Sequence, residues 1–198
     1  MPAKTNHMAA GHAAAFEALR DVSQVPGVPK PDPVMIVDHV SRQFGGLKAV
    51  DVTHVEIQRG AITALIGPNG AGKTTLFNLL TGFDKPDTGT WTFNDNSVAG
   101  TPPHRLARMG MVRTFQLTKA LSRMSVIDNM LLGAHGQSGE RVINALLPFT
   151  WTGQERANRV RAMELLERFN LHEKVDDFAG SLSGGQRKLL EMARALMV

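Results

Sequence analysis

The amino-acid sequence predicts an α/β fold in which strands come first and helices follow. Two runs rich in β-branched residues, 34–40 and 52–58, are typical of strands. A continuous apolar run over 61–66 leads into a glycine-rich loop, as a strand buried on both faces would. After Leu117 the apolar residues recur at helical spacing, which predicts a second part built from helices.

Further elements follow from the same two periodicities. Two more short runs, 90–94 and 111–115, are strand candidates because apolar and β-branched residues dominate them. Helical spacing of the apolar residues predicts three helices, over 126–132, 157–169 and 189–197.

The composition excludes several classes of protein. Of the 198 residues, 42% are hydrophobic and 20% are charged, which is ordinary for a packed domain and excludes a wholly disordered chain. No apolar run approaches about 18 residues, so no transmembrane helix is predicted. Residues 1–25 lack the pattern of a secretory signal. The absence of cysteine excludes disulfides and thiolate metal sites and fits a reducing compartment.

The run GPNGAGKTT at 67–75 matches the pattern of a phosphate-binding loop. Glycines let backbone N–H groups face phosphate oxygens, the lysine adds a positive charge, and the next hydroxyl is placed for Mg²⁺. The apolar run before the loop and the amphipathic stretch after it favour this interpretation over an ordinary turn. The predicted nucleotide contacts are Gly67, Pro68, Asn69, Gly70, Ala71, Gly72, Lys73, Thr74 and Thr75, with Thr74 also as metal ligand.

A second glycine motif, LSGGQ at 182–186, precedes the last predicted helix. Ser183 is its predicted N-cap, and Leu189, Ala193 and Leu196 form its predicted apolar face. A serine and two glycines at a helix start can bind an anion, but no lysine accompanies them here. Taken alone, the motif is equally typical of an ordinary cap. A phosphate-binding role becomes reasonable if the motif meets a nucleotide held by another subunit.

Together the two motifs resemble the ATP-binding cassette (ABC) family, and the resemblance covers about 34–198. It implies a P-loop NTPase fold: a truncated ABC nucleotide-binding domain with an N-terminal antiparallel β part and a helical subdomain that carries the signature. In that family two such domains pair head to tail and hold ATP between one phosphate loop and the opposite signature. The signature residues that would contact a partner's ATP are Ser183, Gly184, Gly185 and Gln186.

The resemblance assigns roles to two more residues and a catalytic role to a third. Gln116, in TFQLT, corresponds to the glutamine that contacts Mg²⁺ or the attacking water, which makes it a candidate metal ligand and catalytic residue. Ser183 is the other candidate catalytic residue, acting on the partner's ATP. Phe44, 23 residues before Gly67, corresponds to the aromatic residue that stacks on adenine. Without the resemblance, Gln116 is more typical of a surface position, and Phe44 of the core of a turn.

Three parts are expected along the chain. Residues 1–33 are predicted to be a flexible tail, because four prolines keep its last third extended: Pro26, Pro29, Pro31 and Pro33. Residues 34–116 would form the nucleotide-binding β part with the phosphate loop, and residues 117–198 the helical subdomain with the signature.

Several strings, among them FGGLKAV and RTFQ, are similar to the ATPase subunits of branched-chain amino acid importers. The similarity implies a second nucleotide-binding subunit, identical or different, transmembrane permease subunits, and indirectly a periplasmic solute-binding protein. It places the chain in the cytoplasm, on the inner face of the membrane. The transported solute is selected by the other subunits.

A basic band over 96–127 contains five cations and no acidic residue: Arg105, Arg108, Arg113, Lys119 and Arg123. The net charge of the chain is +4. A nucleic-acid surface would show a larger excess with interleaved aromatic residues, so no nucleic-acid partner is predicted. A solvated face near a bound anion is the favoured interpretation.

No apolar run ending in Asp-Glu follows the signature. In the family this strand orders Mg²⁺ and polarises water, so we expect this chain alone to lack ATP hydrolysis and to be part of a longer protein. Two alternatives stay open: a non-transport ABC ATPase of translation or DNA repair, and a non-hydrolysing ATP-binding fragment. A P-loop kinase or GTPase would leave LSGGQ unexplained.

Overall fold

A computed structural model describes residues 19–20, 22–115, 121–134 and 152–198. These residues divide into two compact units, one that ends at Leu106 and one that begins at Ala107. Each unit has its own secondary structure and core, and the predicted phosphate loop and the signature belong to different units.

The first unit contains an antiparallel sheet with the strand order β2-β1-β3-β4. Its strands are β1 (Pro33–Phe44), β2 (Leu47–Gln58), β3 (Thr88–Phe93) and β4 (Asn96–Ser97). Strands β1 and β2 form a hairpin around Gly45 and Gly46, and Gly45 takes the positive φ of 57° that this tight turn requires. The strands predicted over 34–40, 52–58 and 90–94 are therefore confirmed, the first two as parts of longer strands.

The first unit also contains α1 (Lys73–Leu80) and the first four residues of α2 (Pro103–Arg108). The side chains of Leu79 and Leu80, at the C-terminal end of α1, are buried, and so is that of Leu106 in α2. The sheet contributes its own buried side chains, namely Met35, Val37, Val40, Val50 and Trp91. Burial of these apolar side chains is the main term that stabilises the unit.

Two predicted strands are wrong. The apolar run Ala61–Ile66 has irregular backbone, and its residues from Ile62 onward are exposed, with Ile62 and Ile66 at 103% and 90%. Residues Met111–Phe115 are irregular as well. The physical reason is that a strand exists only through hydrogen bonds to a neighbour. Within the described residues, neither run is paired with a strand of the sheet.

Residues 23–32, which the sequence places in a flexible tail, contact β2. The Lys30 backbone N–H donates to Glu56 Oε2 at 2.6 Å, and Lys30 Nζ donates to the carbonyl of Val25 at 3.0 Å. Arg59 at the end of β2 pairs with Asp32 at 3.1 Å. These contacts give the segment before β1 a defined path along the sheet.

The second unit is helical. Its helices are α3 (Val126–Leu131), α4 (Thr152–Arg168) and α5 (Gly184–Ala195), and short 3₁₀ turns at His172–Lys174 and Ala179–Ser181 connect α4 to α5. The three predicted helices are confirmed, with α4 and α5 beginning five residues earlier than the predicted ranges. One apolar core joins them, built mainly from Val126, Met130, Ala162, Leu166, Leu171, Leu190, Ala193 and Met197.

The predicted apolar face of α5 is wrong. Ala193 is buried, but Leu189 is 38% exposed and Leu196 51% exposed. The buried stripe is instead Leu190, Ala193 and Met197. Both sets recur at spacings of three and four residues, so helical periodicity fits either one. The choice between them is made by packing against α3 and α4, which the sequence of α5 does not contain.

Candidate functional site

The loop at 67–72 folds into a tight turn that ends at the N-terminus of α1. Gly70 and Gly72 both have left-handed backbones, with φ of 84° and 78°. The Ala71 N–H donates to the carbonyl of Pro68 at 3.3 Å, and the Leu76 N–H donates to the carbonyl of Gly72 at 2.8 Å. Left-handed residues are one requirement of the backbone nests that bind anions.

Lys73, the first residue of α1, turns its side chain back over this loop. Its Nζ donates to the carbonyl of Gly67 at 2.7 Å and to that of Pro68 at 2.6 Å. The first turn of α1 contains no acidic residue, and the Thr74 side chain beside it is exposed. The loop therefore carries both the positive end of the α1 dipole and the ammonium group of Lys73, two features that favour a polyphosphate.

Gly72 is also required by its contact with the sheet. An ideal Cβ on Gly72 would lie 2.0 Å from the carbonyl oxygen of Ala49. Ala49 occupies an irregular position of β2, because Arg42 pairs with Val50 while Gln43 pairs with Lys48. This bulge leaves Ala49 outside the ladder and lets its carbonyl lie against the loop. The phosphate loop is thus seated directly on β2.

Phe44 ends β1 and pairs with Leu47, two residues before Ala49. Its ring is 48% exposed, so Phe44 is not a core residue of the turn. The hairpin that carries Phe44 is the same one that contacts Gly72 through Ala49. This connection puts an accessible aromatic ring on the strand pair that supports the phosphate loop.

The signature forms the start of α5. Ser183 is the N-cap, as predicted: its Oγ accepts from the Gln186 N–H at 3.2 Å, and Gln186 Oε1 accepts from the Ser183 N–H at 2.9 Å. This reciprocal capping box gives Gln186 an internal role. Ser183, Gly184 and Gly185 are exposed, and a Cβ on either glycine would meet nothing within 4 Å. An open helix N-terminus with no acidic residue in its first turn fits an anion.

Gln116 lies outside the described residues, as does Lys119 of the basic band. The residue before Gln116 is described: the Phe115 N–H donates to Glu191 Oε1 at 3.3 Å. Glu191 is buried on α5, so the backbone that leads to Gln116 is tied to the signature helix. Sequence reasoning missed Glu191, although a carboxylate beside the apolar stripe of a helix is the signal that could have found it.

Asn129 is the other residue that sequence reasoning missed. It is fully buried on α3, and its Nδ2 donates to the carbonyls of Leu121, Met124 and Ser125 at 2.9–3.3 Å. Its Oδ1 accepts from the Leu121 N–H at 2.9 Å. The two Nδ2 hydrogens, shared among these three carbonyls, and the bond that Oδ1 accepts tie residues 121–125 to the start of α3.

Within the described residues, no group of three histidine or carboxylate side chains is arranged to hold a metal ion. Thr74, with its exposed hydroxyl beside Lys73, is the described residue that was predicted to contact Mg²⁺. Mg²⁺ commonly takes one or two protein ligands and completes its shell with phosphate and water oxygens, so a single hydroxyl is compatible with it.

Comparison with known proteins decides the family. A family model described as "ABC transporter" matches residues 50–198. The chain belongs to the ABC transporter family. The membership of the ABC family and the fold class that the sequence motifs predicted are both confirmed.

Two relatives within the family are named as transport ATP-binding proteins. The chain is 39% identical over 164 residues to the probable branched-chain amino acid transport ATP-binding protein LivG of Archaeoglobus fulgidus, covering 83% of this chain and 63% of the relative. It is 40% identical over 166 residues to the high-affinity LivG of Escherichia coli, covering 83% and 65%. The chain therefore spans less than two thirds of the length of these relatives.

A solved structure agrees with this assignment. The ADP conformation of an ATP-binding cassette of an ABC transporter matches with a TM-score of 0.67 and 38% identity, over 83% of this chain and 65% of that one. A nucleotide-free ATP-binding cassette from an ABC transporter matches with a TM-score of 0.65 and 38% identity. Among the described residues, no helix is both long enough and apolar enough to cross a membrane.

Proposed function

We propose that this chain binds ATP through residues 67–75 and serves as the ATP-binding part of an ABC transporter. The observation that carries the proposal is the loop itself. Left-handed Gly70 and Gly72 lead into a helix whose first residue, Lys73, covers the loop with its ammonium group. No carboxylate in the first turn neutralises that charge. A polyphosphate is the ligand that matches this combination of backbone donors, helix dipole and fixed cation.

The remaining residue roles follow within this proposal. Residues 67–75 hold the phosphates, Phe44 stacks on the adenine, and Thr74 with Gln116 would hold Mg²⁺. Bound Mg²⁺ would neutralise phosphate charge. Ser183, Gly184 and Gly185 would contact ATP on a second nucleotide-binding subunit, where the Ser183 hydroxyl can donate its proton to a phosphate oxygen while Oγ keeps its cap bond.

Branched-chain amino acid import is the transport process that we propose. Similarity to the LivG proteins supports it. Its partners would be permease subunits and, indirectly, a periplasmic solute-binding protein, with the chain on the inner face of the membrane. Residues 34–116 would provide the nucleotide site and 117–198 the signature subdomain. ATP hydrolysis would require two cassettes paired with each other, each with the family's strand that ends in Asp-Glu. This sequence contains no Asp-Glu dipeptide.

Replacing Lys73 by Ala tests the nucleotide site. Loss of a charge-assisted contact costs about 1.5–3 kcal/mol, so the dissociation constant of Mg-ATP should rise by roughly ten- to a hundredfold. Isothermal titration calorimetry on the purified protein measures this directly. Lys85→Ala is the matched control, because Lys85 is an exposed lysine of the same unit, beyond the far end of α1.

A second variant separates the two glycine motifs. Ser183→Arg should leave the ATP affinity of a single chain unchanged, because the phosphate it would contact is held by the partner. If Lys73→Ala binds Mg-ATP as tightly as the Lys85→Ala control, the assignment of the loop is wrong. If Ser183→Arg weakens binding by a single chain as much as Lys73→Ala does, the proposed role of the signature is wrong.

A further inference from the structure

The aromatic ring of Phe44 is held from one side by a cation. The guanidinium carbon of Arg42 lies 4.7 Å from the centroid of the Phe44 ring. Phe44 is nevertheless 48% exposed, so the contact with Arg42 leaves about half of the residue's surface accessible. An aromatic ring on an exposed hairpin end would otherwise be free to change rotamer, and this contact restricts it.

Arg42 is itself fixed by two carboxylates. Its Nε and Nη2 donate to the two oxygens of Asp84 at 3.1 and 3.0 Å, and its Nη1 donates to Asp87 Oδ1 at 2.8 Å. The hydrogen bond from Arg42 to Asp87, helped by the charge of Asp84, raises the pKa of the guanidinium. A bidentate fork of this kind defines the plane of the guanidinium as well as its position.

Asp87 also fixes the hairpin backbone, and Asp84 also contacts the phosphate-loop helix α1. Asp87 Oδ2 accepts from the Gln43 N–H at 2.6 Å, which fixes the backbone directly before Phe44. The Asp84 N–H donates to the carbonyl of Asn78, in the last turns of α1. A continuous series of contacts therefore runs from α1 through Asp84 and Arg42 to the ring of Phe44.

We propose that Arg42 is a positioning residue: its guanidinium fixes the orientation of the Phe44 ring, so that the opposite face of the ring can stack on the adenine of ATP. The proposal rests on the proposed nucleotide site and adds a residue that the glycine motifs do not contain. A cation against one face of a ring also draws electron density toward itself. The opposite face then becomes a better surface for an electron-rich purine.

The test compares two ligands that share phosphates but differ in the base. Arg42→Gln should weaken Mg-ATP binding by roughly two- to tenfold and leave the binding of magnesium tripolyphosphate unchanged. Lys73→Ala should weaken both ligands. In a Phe44→Ala background, Arg42→Gln should have no further effect on ATP, because the ring through which it acts is absent.

Arg59→Gln is the matched control for loss of a surface arginine. Arg59 donates to Asp32 at 3.1 Å and to Asn94 at 2.8 Å in the same unit. The control should bind both ligands like the unmodified protein. If Arg42→Gln does not fold, as judged by its thermal unfolding curve, Arg42→Lys replaces it. Lysine keeps the charge and loses the fork, so it should show the same selective loss to a smaller extent.

The outcomes are distinct. Equal weakening of ATP and tripolyphosphate by the Arg42 variant, or no weakening of either, overturns the positioning role while the Lys73→Ala result still supports the nucleotide site. An undiminished effect of Arg42→Gln in the Phe44→Ala background overturns it as well. If Lys73→Ala leaves both ligands bound as before, the proposed function fails, and the role of Arg42 fails with it.

Discussion

Gly72→Ala should destabilise the protein more than an alanine at the other left-handed glycine of the same loop. Alanine at the Gly72 φ of 78° costs roughly 1–2 kcal/mol for the left-handed backbone alone. Its Cβ would also lie 2.0 Å from the Ala49 carbonyl oxygen. The overlap is with backbone, so no rotamer change relieves it, and such overpacking adds roughly 1–3 kcal/mol. The total is about 2–5 kcal/mol of a stability that is typically about 5–15 kcal/mol.

Gly70→Ala is the control that isolates the contact with the sheet. Gly70 has a φ of 84°, and a Cβ there would meet nothing within 4 Å. The Gly70→Ala variant should therefore lose only the cost of a left-handed alanine backbone, about 1–2 kcal/mol of unfolding free energy. Urea unfolding without nucleotide measures both variants and keeps ligand binding out of the comparison. Equal losses in the two variants would show that the contact between Gly72 and the Ala49 bulge contributes nothing, and the seating of the loop on β2 would be wrong.

Two further predictions concern the sheet and the signature helix. The pKa of His54 is raised by its hydrogen bond to Asp38, with Nδ1 and Oδ1 2.5 Å apart, and less by Glu56. The resulting stability is complete below the ordinary pKa of 6.5 and is lost as pH rises through the higher folded value. The advantage of the unmodified protein over His54→Gln in urea should thus be largest below pH 6.5 and should shrink as the pH rises above it; a difference that stays constant with pH would argue against it. On α5, Leu190→Ala should cost about 2–5 kcal/mol and Leu189→Ala less than about 1 kcal/mol in thermal or urea unfolding; comparable losses would contradict the buried stripe seen here.

Local sequence patterns were sufficient for the parts of the molecule whose physics is local. Ser183 was recognised as an N-cap because a capping side chain bonds a backbone N–H only three residues away. The glycines of 67–72 were recognised because their spacing before a lysine is itself the motif. The strands around the first hairpin were predicted because their β-branched residues prefer extended backbone, whichever neighbour they pair with.

The apolar run Ala61–Ile66 shows where a local pattern fails. Its composition indicates a tendency toward burial, but a strand is defined by hydrogen bonds to another strand, and no such partner exists for it in the described part of the chain. The face of α5 failed for a related reason. Leu189 and Leu190 each begin a stripe of apolar residues with helical spacing. The stripe that begins at Leu190 is the buried one because it packs in the same core as α3 and α4.

By itself, the sequence determined the two glycine motifs, the strands of the first hairpin with the three later helices, and the family, because each depends on residues close together in the chain. Only the tertiary structure decided what surrounds those motifs. Arg42 meets Asp84 across 42 residues, and Phe115 meets Glu191 across 76. The register shift at Ala49 brings its carbonyl against Gly72, and no residue type in the sequence predicts that shift. Such contacts form between surfaces that exist only after folding, so no local preference encodes them.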